Sequence, residues 1–366
     1  MAERAQTGPK PDAPEVEDFR SPRGIDLSLI IVNWNSADFV RNCLASINPG
    51  SCAYGIEVIV VDSGSFDQCG GMLSREFPAV RFVQAPENIG FAKANNLGAS
   101  FAAGRFLLFL NPDTEVVGNA LERLVQVLDR HPEAGLAGAL LHNFDGSVQT
   151  SCIQSFPTLL NQFLDSEWLR GLFPRSPLWG MAPLFEKDPA PTAVEVVSGA
   201  CILIRRGLFE KLAGFDTRFF MYSEDLDLCR RVRAAGQVCL FVPEARIVHH
   251  GGGSSSSARS MFSVVMMRES VCRLFLLHRG PVAALGYRCI MAGSALLRLP
   301  LLLGKGGIQR MAGRKARSGA VRKWAAIFRW SLGLESWAAS KNGSALSSPK
   351  TAGVGSTASD NSSCVA

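Results

Sequence analysis

Between residues 26 and 142, short apolar runs alternate with stretches of helical spacing. Residues 27–32, 57–61, 80–84 and 106–110 are rich in β-branched, leucine or aromatic side chains, and each gives way to a polar or turn-forming stretch. The pieces between them, 37–47, 91–103 and 119–130, carry apolar residues at helical intervals. Near-continuously apolar strands alternating with helices predict an α/β fold with a mostly parallel central sheet covered on both faces. Residues 143–190 hold Phe, Trp, Pro and Leu without a period and read as an irregular insertion. A strand over 194–204, a short helix over 207–213, a turn at 214–216, a helix opening at Ser223 and a strand over 238–242 come next. Beyond a Gly/Ser loop at 249–257, three helices are expected. They are 260–277, carrying a Glu269–Arg273 pair at i,i+4, 282–303, and 321–332. The last places Val321, Trp324, Ala325, Phe328 and Leu332 on one face and Arg322 and Arg329 on the other.

Composition narrows the class. Of 366 residues, 47% are hydrophobic and 19% charged, which excludes disorder for the bulk of the chain. No uninterrupted run of about 20 apolar residues points to a polytopic membrane protein. The 10 cysteines are scattered without a C-x-x-C pair, as expected of buried thiols in a reducing compartment. Residues 1–23 lack the features of a signal peptide and read as a flexible leader, and 341–366 as a disordered tail. The net charge of +6 hides an asymmetry: residues 259–340 hold 14 Lys/Arg against two acids, Glu269 and Glu335. A basic tail on an acidic body speaks of partners rather than fold. No recognised nucleic-acid module accompanies it.

In an open parallel sheet, ligands bind beyond the carboxyl ends of the strands. Asp62 follows one strand and Asp113, in Asn111-Pro112-Asp113, follows another. Ser63-Gly64-Ser65 after Asp62 is a turn whose N–H groups suit a phosphate or ribose, although Asp and Gly are also ordinary turn residues. No G-x-G-x-x-G follows the first strand and no G-x-x-x-x-G-K-[ST] occurs, which argues against a dinucleotide-binding dehydrogenase and a P-loop NTPase.

Seven ordered blocks sharpen the reading: LSLIIVNWNS, VIVVDSGSFD, ENIGFAKANN, LFLNPDTEV, VSGACILIRR, GFDTRFFMYSEDLDLCRRVRAAG and VHHGGGSS. Together, over about residues 26–255, they closely resemble the family 2 inverting glycosyltransferases, in the branch that includes bacterial rhamnosyltransferases. The resemblance implies a GT-A fold, a nucleotide-diphosphate-sugar donor, a divalent cation and transfer with inversion. A cation would neutralise the charge that develops on the leaving diphosphate, and Mg²⁺ or Mn²⁺ suits a site of one or two carboxylates plus phosphate oxygens. By resemblance Asp113 holds the second position of the metal motif and Asn111 the first. Asp62, Val32 and Asn33 would contact the base or ribose, and Asn88, Lys93 and Asn96 would border the donor, although Lys93 is equally a solvated helix lysine. Ser198 and Gly199 match the block lining the sugar pocket.

The acceptor hydroxyl must lose a proton, and a carboxylate is the usual recipient. Ser223-Glu224-Asp225-Leu226-Asp227 opens a helix whose N-terminal field is expected to keep these acids ionised at neutral pH. Ser223 is expected to cap that helix and Asp227 to pair with Arg230 or Arg231. The resemblance makes Asp225 the base, with Glu224 beside the acceptor. His249 matches the family's metal-proximal histidine, with His250 as alternative.

The resulting organisation is a leader (1–23), a catalytic domain (24–257), a basic helical membrane-associating region (258–340) and a tail (341–366). Residues 282–303 are long enough to span a bilayer, but Arg288 and Arg298 favour association at the interface. The expectation is a cytoplasmic enzyme, peripheral on the inner face of the membrane, passing a sugar such as rhamnose to a lipid-linked or polysaccharide acceptor. The alternative is a non-catalytic nucleotide-sugar-binding or membrane-scaffold subunit.

Overall fold

The computed structural model describes residues 24–164, 176, 190–251, 261–311 and 318–343. The leader, most of the tail, the Gly/Ser run 252–257 and much of the insertion therefore lie outside the described residues.

Eleven strands are present among these residues: β1 Leu27–Asn33, β2 Ile56–Ser63, β3 Arg81–Ala85, β4 Phe106–Leu110, β5 Thr114–Val116, β6 Ala134–His142, β7 Ile153–Gln154, β8 Thr192–Val194, β9 Val196–Val197, β10 Cys201–Arg205 and β11 Val238–His249. The main sheet runs β3-β2-β1-β4-β10-β6-β11-β5, with β8 also on β11, while β7 and β9 form a separate pair. Strands β3, β2, β1 and β4 are mutually parallel, as are β6 and β11. Between these blocks β10 lies antiparallel to both neighbours.

The inversion of β10 shapes one edge of the sheet. The carboxyl ends of β1, β2, β4, β6 and β11 share one rim, and β10 brings its amino end, Ser198–Ala200, to the same place.

The expected coverage of both faces is seen in β2. Val58 and Val60 join Val40, Cys43 and Leu44 of the helix Ala37–Ala45, whereas Ile59 and Val61 pack with Ala94 of the helix Phe91–Ala99. That second helix rides very close to the sheet at Gly98, where a Cβ would stand 2.5 Å from Ile30 Cγ2.

The continuous strand expected over 194–204 is instead three pieces, because Ser198-Gly199-Ala200 turns at the rim. The pattern does not predict the helices Cys69–Glu76, Leu159–Leu164 and Ser336–Gly343 or the strands β5, β6 and β7. The sequence of β6 is Ala/Gly/Leu-rich and lacks β-branched residues, and β5 is only three residues long. The nine cysteines among the described residues are free thiols.

The C-terminal residues form a helical layer with its own core. One helical run, Met261–Met311, bends at Gly280 (φ 83°, ψ 176°), a conformation open to glycine. Pro281 then restarts the helix at a position where its missing N–H costs nothing. The helices Ser318–Ser331 and Ser336–Gly343 pack beside it. Phe275, Tyr287, Met291, Ile327, Trp330 and Ala338 are buried together.

Two expectations are corrected by this layer. Glu269 does not pair with Arg273: its Oε2 accepts from Arg288 Nη2 (3.0 Å) and Trp330 Nε1 (2.8 Å), because the fold brings helix partners closer than the i+4 neighbour. The helix Ser336–Gly343 runs into the tail expected from residue 341, because Asn342 is buried and accepts from Phe220 N, and on the helix before it Ile327 and Trp330 are buried with Trp324 packed against the same core.

The layer is tied to the part that carries the main sheet. Ser270 Oγ donates to Met221 O (2.7 Å), Phe220 N donates to Asn342 Oδ1 (2.8 Å), and His278 Nε2 lies 2.8 Å from Asp227 Oδ1.

Candidate active site

The rim carries the candidate residues in strand order. At the β2 end, Asp62 is paired in register with Asn33 of β1. Asn33 Nδ2 donates to Asp62 Oδ2 (2.7 Å), while Ser65 N and Gln84 Nε2 donate to Oδ1 (2.8 Å each). Asp62 is thus buried and well supplied with donors. Val32 is buried beneath it and packs with Ile59 and Val61.

The loop after β2 is closed against its neighbour. A Cβ on Gly64 (φ +69°) would stand 2.6 Å from the Glu87 carbonyl carbon. Ile89 N donates to Ser63 Oγ (3.1 Å), and Asn88 Oδ1 accepts from Gly90 N (3.0 Å). Asp67 was not singled out from the sequence, although it ends the block containing Asp62. Its carboxylate takes Ala37 N at the start of a helix (2.8 Å) and faces Asn33 Nδ2 (3.2 Å). On the same loops Trp34 is partly exposed and Phe66 almost fully exposed.

Asn96 is fully engaged. Its Nδ2 donates to Phe215 O (2.8 Å) and its Oδ1 accepts from Phe215 N (2.9 Å), so it fastens the Gly214–Phe215 turn. Lys93 is half-buried and makes no ion pair or hydrogen bond among the described residues.

Farther along the rim, Asn111 N donates to Ala200 O (3.0 Å), joining the β4 end to the β10 turn. The chain then crosses to β5, whose register with β11 sets Thr114 opposite His249. That pairing brings His249 Nε2 to 3.4 Å from both Asp113 Oδ1 and Asn111 Nδ2. His250 turns away, with its Nε2 2.8 Å from Glu115 Oε1.

The remaining nitrogen of His249 is held by a residue that the sequence did not reveal. Gln149 Nε2 donates to His249 O (2.6 Å), and Gln149 Oε1 faces His249 Nδ1 (2.9 Å). A carbonyl only accepts, so the amide nitrogen must face it and the amide oxygen must face Nδ1. Nδ1 therefore carries a hydrogen, and Nε2 is the ring nitrogen that faces Asp113 and Asn111. Gln149 lies in the stretch without periodicity and in no recognisable motif, so nothing in the sequence marks it.

At the β10 turn, Gly199 N donates to Asp225 Oδ2 (2.8 Å), and Leu226 N donates to Oδ1 (2.9 Å). Only a residue without a side chain keeps this contact clear, since a Cβ at 199 would lie 3.0 Å from Asp225 Oδ2. Burial pushes the Asp225 carboxyl above its ordinary value, opposed by these two N–H groups.

Glu224 departs from expectation. It is buried, its Oε2 has no hydrogen-bond partner among the described residues, and burial, with the Asp225 charge next, pushes it up to about 8. Desolvation outweighs the helix field at this position, so this acid is protonated at neutral pH rather than ionised.

Ser223 precedes the helix Glu224–Ala234 in a left-handed conformation (φ 65°), as does Tyr222 (φ 70°), and makes no side-chain cap. The segment is held instead by the bonds that Ser270 and Asn342 make to Met221 and Phe220. Asp227 pairs with Arg231 (2.6 Å), as the i+4 spacing implies, and Arg231 also donates to Leu212 O and Gly214 O.

Three strand spacings separate β2 from β10, about 14 Å at 4.7–4.9 Å each. The rim thus offers an elongated, polar-lined track with Asp62 at one end, Asn111 in the middle, and Gly199 with Asp225 at the other. Asp113 and His249 border it from the β5/β11 side. Among the described residues no cluster of three or more His, Cys, Asp or Glu forms a complete metal cage. Asp113 and His249 Nε2 do converge, and a carboxylate with a neutral imidazole is a donor set that fits a hard divalent cation taking its other ligands from phosphate and water.

The sequence matches glycosyl transferase family 2 over residues 28–213. It is 31% identical over 236 residues to N-acetylglucosaminyl-diphospho-decaprenol L-rhamnosyltransferase of Mycobacterium tuberculosis, covering 61% of this chain and 76% of that protein. It is 23% identical over 245 residues to rhamnosyltransferase WbbL of Escherichia coli, covering 64% and 86%. Mannosyltransferase PcManGT from Pyrobaculum calidifontis, solved with GDP-Man and Mn²⁺, aligns with a TM-score of 0.51 at 18% identity, covering 88% of this chain and 90% of that one. That likeness is one of fold.

Proposed function

Because the chain belongs to glycosyl transferase family 2, we propose that it is an inverting, cation-assisted glycosyltransferase. In this reading it moves rhamnose from a nucleotide-diphosphate donor onto a lipid-linked glycan acceptor during cell-envelope synthesis. The observation that carries the site assignment is the Asp225 carboxylate, fixed by Gly199 N–H at the end of the donor track. The donor sugar and acceptor rest on the relatives, two of which are rhamnosyltransferases and one of which is named for a decaprenol-linked N-acetylglucosamine.

In this reading the nucleoside lies over Val32, Asn33, Asp62 and the Ser63–Ser65 turn, with Trp34 and Phe66 available for stacking on the base. Asn88 and Lys93 border it, and Asn96 shapes the wall through the Phe215 turn. The diphosphate lies by Asn111 and Asp113, and the sugar by Ser198 and Gly199. Asp225 accepts the proton of the acceptor hydroxyl as that oxygen bonds to the anomeric carbon and the bond to the diphosphate breaks. Glu224, neutral beside it, adds no second negative charge to oppose the build-up of charge on the nucleotide. Asp113 and His249 would hold a divalent cation, which would supply neutralisation of the charge on the diphosphate.

Membrane proximity fits the helical layer. The helical segment Met261–Gly307 is long and apolar enough by composition to cross a bilayer. Its bend at Gly280 and the buried Glu269–Arg288–Trp330 contacts favour a packed layer lying at the surface.

The test is transfer from a panel of nucleotide sugars with Mn²⁺ to a polyprenyl-diphosphate-linked N-acetylglucosamine, with product stereochemistry read by NMR. Rhamnose transfer with inversion from the dTDP donor is expected. Donor binding without transfer to any lipid-linked or glycan acceptor would favour the scaffold alternative.

A further inference from the structure

Where the two halves of Met261–Met311 diverge at Gly280, they enclose a cavity of about 260 Å³ lined by Glu269, Arg273, Leu276, Ala284, Leu285 and Arg288. Its charges are not balanced within the protein. Glu269 is engaged by Arg288 and Trp330. Arg273 makes no ion pair or hydrogen bond among the described residues, and its Nε is buried without an acceptor. Arg273 is half-buried and lines the cleft, so its charge stands there without a counter-ion from the protein, and a phosphate oxygen in the cleft would supply one.

The rim of the cavity is apolar and open to solvent. Leu276 is 45% and Leu285 63% exposed, and Val282, Leu296, Leu297 and Leu301 continue the exposed apolar surface along the same helical run. A free nucleotide or inorganic anion has no use for such a border. A phosphate carried on hydrocarbon does, since its charge meets the guanidinium while its chains lie along leucine.

We propose that this cleft is a headgroup site for an anionic glycerophospholipid, with Arg273 as its phosphate ligand, and that it seats the helical layer on the bilayer. The inference deepens the membrane-proximal reading of the proposed function and rests on it. It adds a defined ligand position to what would otherwise be diffuse attraction between basic residues and an anionic surface.

The experiment is sedimentation of the full chain with vesicles of phosphatidylcholine alone or mixed with phosphatidylglycerol. Wild type is compared with Arg273→Gln, Arg273→Lys and the control Arg279→Gln. Arg279 is exposed on the same helix and stacks on Phe275, so its replacement removes the same charge from outside the cleft. Charge loss alone lowers binding to anionic vesicles roughly fivefold. A phosphate ligand predicts a larger loss for Arg273→Gln, on the order of tenfold or more, and little rescue by Lys, which lacks the planar guanidinium fork. Each variant must keep the donor-induced thermal shift of wild type, which shows that it is folded. Equal losses for Arg273→Gln and Arg279→Gln, or full rescue by Lys, would overturn the site while leaving membrane association intact. Wild type that binds neither vesicle would overturn the membrane reading itself.

Discussion

Gln149 holds His249 at two points, donating to its backbone carbonyl and accepting from its ring Nδ1. One amide thereby puts a hydrogen on Nδ1 and leaves Nε2 as the nitrogen that faces Asp113 across 3.4 Å. Such outer partners of metal-ligating histidines orient the ring and raise its basicity, and their loss typically costs about 10–100-fold in metal affinity.

Gln149→Leu is therefore expected to weaken Mn²⁺ binding by that order, measured by calorimetry with nucleoside diphosphate present. His249→Ala should weaken it at least as much. Gln149→Glu, which keeps an acceptor for Nδ1, should fall between. If His249→Ala matters and Gln149→Leu does not, the tautomer argument fails. If neither matters, the cation is held elsewhere.

Glu224 and Asp225 are adjacent acids with different environments, and they should respond differently to removal of charge. Glu224→Gln preserves the neutral form that burial already imposes, so transfer at neutral pH should stay within roughly tenfold of wild type. Loss of a general base costs about 10²–10⁴. The same carboxyl gives a stability signature. Its folded value of about 8 lies above the ordinary 4.5, so the fold holds this proton more tightly than the unfolded chain does. That contribution is present below about 4.5 and is lost as pH rises through about 8. Thermal unfolding of wild type should decline across this window, and Glu224→Gln should flatten the decline. Identical pH profiles would contradict a buried, neutral Glu224.

Gly199 is required for space as well as for its N–H. A methyl group there would press on Asp225 at 3.0–3.3 Å, and the carboxylate would have to yield by a few tenths of an ångström. Gly199→Ala should lower kcat by about 10–100-fold, since small misplacements of a reacting group are expensive, with little change in donor KM. A fall confined to donor KM would place Gly199 against the nucleotide instead.

Much of the molecule is legible from the chain alone, because its strands are apolar runs ending in chemically distinctive residues. Asp62, Asp113 and Asp225 each occur where a strand or helix presents them, so motif and geometry coincide. Long-range partners are another matter. Gln149 meets His249 only because the chain after β6 folds back along it and β6 lies beside the end of β11, and the i,i+4 rule gives Glu269 to Arg273 while tertiary packing gives it to Arg288. The protonation of Glu224 follows from burial against the helix end, which a local field argument misses. Tyr222 and Ser223 are held in left-handed conformations beside bonds from Ser270 and Asn342, and no local propensity encodes that arrangement.

The central claim is that Asp225 receives the acceptor's proton. The most direct measurement is single-turnover transfer by Asp225→Asn, with donor binding followed in parallel by thermal shift. The amide should keep donor binding close to wild type while transfer falls by about 10²–10⁴. Turnover within tenfold of wild type, with donor binding intact, would contradict the assignment.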